Sequence, residues 1–433
     1  MMDWTGDSGA DVAMPTYSEV FRTHGYLAIF LAAALSTWGD YLARVVVAAF
    51  VLDETGSPFA AAATFAVSLL PSIFGRSLLA PIADRVPYKF VLIVAHLLRA
   101  VLVGVLILAV GTIETAPGQT VDAQTLFTLF ALLFLIELMG GPAISSTQIL
   151  MTDLFSNRRL YARALGLGTM SEQVNQAIGL TLGGFLVAWV GAVRGLWFDL
   201  ATFLLSALVI TVVVKAQAVR GTPSAGIVGF FHDIGEGAAF LFRQQVLVSL
   251  LALSLCAVWA MAAPEAVAIA YAQGQSGSTR LGGLLMAAPI LGAVAGLLIV
   301  GRWQPERQNS RIIVMALVMP VPLLVTVFAP PLPITWVLWF GCGVLQAFML
   351  PLQSTFSLVV PAHMRGRVFG LGGALSVAAS GAAFLAAGYL AEQTSPASAV
   401  ATCAAVSLFA IIMLALRWPR AALRKAVKTA YDS

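Results

Sequence analysis

The chain has 433 residues, 60% hydrophobic and only 10% charged, where a soluble domain carries about 25% charged residues. That balance excludes a soluble enzyme or binding module and leaves a polytopic membrane protein, with enough length for about a dozen bilayer-crossing helices. The net charge of +4 is spread over short loops rather than gathered in one patch, so no nucleic-acid partner is expected.

The N-terminus is acidic (Asp3, Asp7, Asp11, Glu19) and no short apolar run precedes the first span, so no cleavable signal is expected. Apolar stretches predict twelve helices, at about 26–51, 59–80, 89–110, 125–148, 162–190, 195–214, 245–270, 281–300, 311–329, 334–355, 366–390 and 397–416. The first carries Asp40 and Arg44 near its middle, one helical turn apart. The second contains Pro71, which predicts a kink, and the fourth contains Gly140-Gly141-Pro142, which predicts a bend or break.

The longest internal loop runs from Lys215 to Gln244. It opens as a linker, Arg220-Gly221-Thr222-Pro223-Ser224-Ala225-Gly226, and continues with Phe230, Phe231, Ile234, Leu241 and Phe242 at near-helical spacing. That pattern predicts an amphipathic helix on the membrane surface. The loop divides the chain into an N-terminal six-helix half (1–214), a linker (215–244) and a C-terminal six-helix half with a basic tail (245–433). An internal repeat supports the division. The segment from Ala162 to Gly168 matches the segment from Gly366 to Gly372, and in the same register Gly184-Phe185-Leu186 falls on Gly388-Tyr389-Leu390.

Lysine and arginine are distributed unevenly between the loops. Nineteen lie on one side, among them Arg22, Lys89, Arg158, Arg243, Arg311, Arg365 and Arg417, and two, Arg194 and Arg280, lie on the other. The positive-inside rule then predicts both termini in the cytoplasm and an inner-membrane location. Cys256, Cys342 and Cys403 fall in apolar stretches and read as buried thiols, and His24, His96, His232 and His363 have no metal spacing. No nucleophile–base or metal constellation suggests an enzyme. There is no Walker motif, so active transport would draw on an ion gradient and needs no cofactor. The Gly179-x-x-x-Gly183 and Gly292-x-x-x-Gly296 spacings predict close helix contacts.

Charges inside the spans are concentrated in the first half, at Asp40, Arg44, Arg76, Arg99, Glu137, Glu172 and Asp199, whereas the second half has only Glu265. Buried charges are costly and mark ion or substrate paths. Asp40 and Arg44 have two readings: a pair that neutralises itself, or an acid that exchanges partner or proton as access alternates. Glu137 has no base within four residues and needs a partner on another helix, with Arg99 and Arg44 as candidates. Any proton coupling is therefore expected in the first half, at Asp40, Arg44, Arg99 and Glu137. Asp199 lies near the outer end of the sixth span, where solvation accounts for it. The second half supplies an apolar cavity wall that includes Trp259, Met261, Met286, Trp339, Phe348 and Phe356, with Glu172 near the cytoplasmic end of the fifth span and Glu265, after Pro264, in the outer part of the seventh. Such a cavity suits a hydrophobic or amphiphilic solute.

Between the second and third spans the chain reads Ala80-Pro81-Ile82-Ala83-Asp84-Arg85-Val86-Pro87-Tyr88-Lys89. It resembles the signature of the major facilitator superfamily, in which a Gly is followed after three residues by Asp-Arg-x-Gly-Arg and a basic residue. Asp84, Arg85 and Lys89 match, while Ala80, Pro87 and Tyr88 depart from it. The resemblance implies a twelve-helix major facilitator fold, a cytoplasmic latch at Asp84, Arg85 and Lys89, and a monomeric secondary transporter. Trp38-Gly39-Asp40 with Arg44, the segment Val51 to Ser57, Arg99, Arg365-Gly366-Arg367 and the glycine-rich fifth span look like the branch that exports enterobactin and macrolides. In that fifth span the glycines of the antiporter signature are present at Gly179, Gly183 and Gly184 without its proline. The expected function is proton-coupled export of a hydrophobic or amphiphilic small molecule, drug-like or siderophore-like. The alternatives are a proton-independent lipid or lysolipid translocator and a transporter-like sensor or assembly factor that moves nothing.

Overall fold

An apolar run inside a bilayer has no water to bond its backbone and must satisfy its hydrogen bonds internally, as a helix. The computed structural model describes residues 17–23, 25–83, 86–114, 121–155, 158–214, 226–277, 279–361, 364–419 and 422–423, and among them there are sixteen α-helices and no strand. A short α1 (Tyr17–Arg22) leads into α2 (Tyr26–Thr55), α3 (Pro58–Ala83), α4 (Tyr88–Glu114), α5 (Ala123–Leu154), α6 (Arg158–Val190) and α7 (Ala192–Val213), which are the six spans expected of the first half. After α8 (Gly226–Arg243) come α9 (Gln245–Ser276), α10 (Gly282–Val300), α11 (Pro305–Val318) with α12 (Val321–Val325), α13 (Leu332–Leu345) with α14 (Met349–Val359), α15 (Arg365–Gln393) and α16 (Pro396–Leu416). Among the described residues ten segments are long and apolar enough to cross a membrane. Helices α3 and α6 contain the shorter apolar runs Pro58–Pro71 and Val174–Leu186. Together these make up the twelve expected spans, so the chain is an all-α, multi-pass membrane protein.

The break that Gly140-Gly141-Pro142 could impose does not occur. Helix α5 runs unbroken through Gly140-Gly141-Pro142, and α3 continues past Pro71. A break in lipid would strand several backbone groups, whereas one proline removes a single hydrogen bond. The interruptions fall in the ninth and tenth spans. Helix α11 ends at Val318, the carbonyl against which the Pro322 ring would clash, and a 3-10 turn at Gln346–Phe348 precedes Pro351.

Helix α2 packs against α3, α6 and α7, while α4 packs against α5 and α7. In the second half α9 packs against α15 and α16, and α10 against α13. The two halves meet mainly through two crossings, α3 on α15 and α6 on α10. Each crossing is set by a glycine, and the two glycines are the equivalent positions of the internal repeat. A Cβ at Gly184 of α6 would lie 2.5 Å from the Cα of Gly283 in α10, and one at Gly388 of α15 would lie 2.5 Å from the Cβ of Ala62 in α3. The predicted glycine contacts also occur: Gly179 and Gly183 pack on α2 at Trp38 and Leu42, and Gly292 and Gly296 pack on α13 near Val344.

Polar contacts tie the halves together at the same end, away from the basic loops. Glu392 Oε2 accepts hydrogen bonds from Ser57 Oγ (2.6 Å) and from the Phe59 backbone N–H (3.1 Å). Asp53 accepts from Gln273 Nε2 and Thr279 Oγ1, both at 3.3 Å. Toward the basic end, Gly366, Phe369, Gly370 and Gly373 of α15 are exposed, as are Glu172 and Val174 of α6. The structure is therefore closed at one end.

Helix α8 forms as expected but docks on α15, α3 and α9. Leu241 is buried with Leu247, Val360 and Val368 while Phe242 stays exposed, and Glu236 pairs with Arg367. The side chains of Phe230, Phe231 and Ile234 lie outside the described residues.

Adding a side chain at the α6–α10 crossing should open the closed end. Overpacking costs ~1–3 kcal/mol, so Gly184→Val should lower the yield of a disulfide between engineered Ser57→Cys and Glu392→Cys by about tenfold, scored by gel shift in a cysteine-free background. An unchanged yield would show that this crossing does not hold the end shut.

Candidate functional site: a buried charge cluster and a cavity between the halves

Asp40 and Arg44 share one face of α2, and their spacing suggests a local pair. The structure pairs them crosswise instead. Arg99 of α4 donates from Nη2 to Asp40 Oδ1, and Arg44 donates from Nε to Glu137 Oε1 of α5 at 2.7 Å. Three helices are thus joined by two ion pairs. The reason lies in how Arg99 is held. Its side chain is 2% exposed, so its donors need partners. Nε reaches the Ile136 carbonyl (3.0 Å), Nη1 reaches Ser36 Oγ (3.1 Å), and this leaves Nη2 directed at Asp40. The guanidinium also stacks 4.3 Å over the Phe203 ring. Arg44 similarly lies 5.0 Å over Tyr41.

Gly140 packs under Arg99, where a Cβ would lie 3.6 Å from the guanidinium, an ordinary van der Waals distance. Of the expected coupling residues, Asp40, Arg44, Arg99 and Glu137 all come together in this cluster.

Asp199 differs from the sequence expectation. It is not a solvated acid at a helix end but is 0% exposed, and neither carboxylate oxygen has a hydrogen-bond partner among the described residues. Helix α7 turns Gly195, Asp199, Phe203, Ser206 and Ile210 inward as one buried stripe. That spacing of small, polar and apolar residues was the available signal that this face meets protein. His96 is buried on α4, stacks on Phe203 at 6.2 Å, and has no partner for Nδ1.

A cavity of about 180 Å³ lies between the halves. Its lining includes Gln176 of α6, Met261 and Glu265 of α9, Met286 of α10 and Phe384 of α15. Glu265, expected among the cavity residues, does line this space, on a seventh span that runs unbroken through Pro264. A second cavity, about 300 Å³, lies within the second half toward the basic end, lined by α9, α14 and α15 and including Gln353, Phe356 and Ser376. Trp339 and Phe348, expected in a cavity wall, are instead fully buried in the main apolar core, where Trp339 donates to Thr326 Oγ1 at 3.2 Å. Trp259 packs against that core and lines neither cavity. Glu172 is exposed on α6. Lengthwise apolar runs cannot distinguish a core-facing aromatic from a cavity-facing one, which explains these misplacements.

In the loop between the second and third spans, Lys89 donates from Nζ to the Thr211 carbonyl at 2.8 Å, where a cation suits the C-terminal end of α7. Asp84 and Arg85 lie outside the described residues, as does the side chain of Arg76.

Comparison with known proteins agrees with this architecture. The sequence profile of the Major Facilitator Superfamily matches residues 29–384. The multidrug efflux pump Tap of Mycolicibacterium fortuitum is 26% identical over 384 residues, covering 85% of this chain and 90% of that protein. The Tap pump of Mycobacterium tuberculosis is 27% identical over 374 residues, covering 84% and 86%. Among solved structures, a POT family transporter bound to 5-aminolevulinic acid superposes with a TM-score of 0.69 at 11% identity, covering 91% of this chain and 96% of that one. The nucleoside transporter NupG superposes with a TM-score of 0.66 at 12% identity, covering 90% and 99%. With twelve helices packed in this way and a profile match over most of its length, the chain belongs to the Major Facilitator Superfamily and is a membrane transporter.

Proposed function

We propose that this transporter exports hydrophobic or amphiphilic small molecules across the inner membrane in exchange for protons. The observation that carries the proposal is the crossed pair of buried salt bridges, Asp40 with Arg99 and Arg44 with Glu137. Four ionised groups inside a span region are costly, and a protein needing only rigidity could be built from apolar contacts. Asp40 keeps 21% of its side chain exposed, whereas Arg99 is 2% exposed, so in this reading Asp40 is the member of the pair that exchanges protons. Protonating it removes the counter-charge of Arg99 and loosens the contact between α2 and α4. The relatives named as multidrug efflux pumps support drug-like substrates and export.

In this reading the basic loops and both termini lie in the cytoplasm, and the structure is the form closed to the outside. The halves rock about the midplane cavity, with the glycine crossings as pivots. Asp84, Arg85 and Lys89 latch the cytoplasmic side in the opposite state. Substrate enters the cavity between the halves, where Met261, Met286 and Phe384 offer adaptable apolar contact and Glu265 offers a carboxyl. That carboxyl favours amphiphiles bearing one positive charge. The transporter works as a monomer and needs no cofactor beyond the proton gradient.

Two experiments test this. In liposomes with an imposed pH gradient, the purified protein should accumulate a lipophilic cationic dye, and Asp40→Asn should reduce accumulation to the level seen without a gradient. Flux insensitive to both would favour downhill lipid translocation, and no flux of dyes, siderophores or lysolipids would favour a sensor. Glu265→Gln should weaken binding of cationic amphiphiles by about tenfold to a hundredfold, the equivalent of ~1.5–3 kcal/mol for a hydrogen bond to a charged group, while leaving neutral amphiphiles nearly unaffected. Isothermal titration with a matched cationic and neutral pair separates the two.

A further inference from the structure

Among the described residues, three carboxyls and two guanidiniums form one cluster in the interior of the first half. Glu137 answers Arg44, Asp40 answers Arg99, and Asp199 is left over. It is 0% exposed and both of its oxygens lack a hydrogen-bond partner. The Thr202 hydroxyl, which faces Gly39 as Asp199 Oδ1 does, donates to the Asp199 backbone carbonyl at 2.7 Å. The titratable and charged groups around it are Asp40 from α2, His96 and Arg99 from α4, and Glu137 from α5. Glu172 of α6 is exposed.

Asp199 packs against Gly39, the residue that precedes Asp40 on α2. Its Oδ1 approaches Gly39 so closely that any Cβ on α2 at that position would overlap it. One turn along α7 from Asp199, Phe203 lies under the Arg99 guanidinium. Three of the five guanidinium N–H groups are committed, one each at Nε, Nη1 and Nη2, so Arg99 has donors to spare. An ionised carboxylate without a partner is not tolerated in such a place, whereas a neutral acid is. Two carboxyls beside one cation also resist ionising together.

We propose that Asp199 is a proton-binding site that shares one proton with Asp40 around the single guanidinium of Arg99. In the arrangement observed, Asp40 is ionised and bonded to Arg99, and Asp199 holds the proton. In the other arrangement the proton has moved from an Asp199 oxygen to an Asp40 oxygen, and Asp199 is the carboxylate that Arg99 faces. One O–H bond breaks and one forms. Two anions balance two cations in both forms, so the buried cluster stays neutral. Asp40, the more exposed of the two acids, exchanges the proton, while Asp199 keeps it out of reach. The use of this relay in transport rests on the proton-coupled reading above, but the protonation of Asp199 does not.

Infrared difference spectroscopy on the purified full chain in nanodiscs tests the proposal by the carbonyl stretch of a protonated carboxyl. At neutral pH the wild type should show a band that Asp199→Asn removes. The same band should also vanish in Asp40→Asn, because the two remaining carboxylates then balance the two guanidiniums and Asp199 gives up its proton. A band absent from the wild type, unaffected by Asp199→Asn, or retained in Asp40→Asn would overturn the proposal. The Asp40→Asn arm leaves Asp199 itself intact, so it holds even if Asp199→Asn fails to fold. In liposomes, Asp199→Asn should cut gradient-driven dye accumulation to the level without a gradient, and wild-type accumulation in that variant would exclude Asp199 from coupling. If the wild type itself ignores the gradient, the coupling reading fails while the infrared result still decides where the proton is.

Discussion

The arrangement of the first half follows from the cost of burying Arg99. A guanidinium cannot shed its charge in a protein, so wherever it is buried the surroundings must supply acceptors and an anion. Here α5 supplies the Ile136 carbonyl, α2 supplies Ser36 and Asp40, and α7 supplies the face of Phe203. Four helices are thereby registered against one side chain. Gly39 is the space this packing requires, since it admits Asp199 to the side of α2. Arg44 and Glu137 extend the same network toward the cavity, and Arg44 shares its surroundings with Tyr41.

The second organising feature is the pair of glycine crossings. Lipid supplies no hydrophobic force to hold helices together, so close backbone packing must do so. Gly184 on Gly283, and Gly388 on Ala62, bring the halves into contact at one end. Short polar contacts at Glu392 and Asp53 seal the same end. These contacts involve small residues and few charges, which makes them separable without exposing unpaired buried ions. The charge cluster, by contrast, lies entirely within one half. Movement of the halves therefore need not break it, and a change in its protonation can bias their movement only through the packing of α2, α4 and α7.

Much of the architecture was legible from local pattern. The spans, the α8 helix and the contacts at Gly179, Gly183, Gly292 and Gly296 follow from apolar length, amphipathic spacing and small-residue periodicity, each a property of one segment. The charged half and the uncharged half were equally visible, since an ionisable residue in an apolar run is conspicuous. Gly184 and Gly388 could be matched by the repeat, although only the structure shows that both are crossing points between the halves.

Partner choice could not be read in the same way. The spacing of Asp40 and Arg44 places them on one face of α2, but a short aspartate and a long arginine are each better satisfied by another helix, and which helix comes near is decided by packing. Asp199 looked solvated because it is close to a helix end, and it is buried because α7 turns that face toward α2 and α4. Trp339 and Phe348 read as cavity wall and are core, because hydrophobicity does not say which apolar surface a ring meets. Composition and periodicity determined a twelve-span membrane protein with nearly all its intramembrane charges in one half, and the family resemblance added transport. Only the tertiary structure decided which charge answers which, and that one carboxyl is left without a partner, because those pairings depend on distances between helices far apart in sequence.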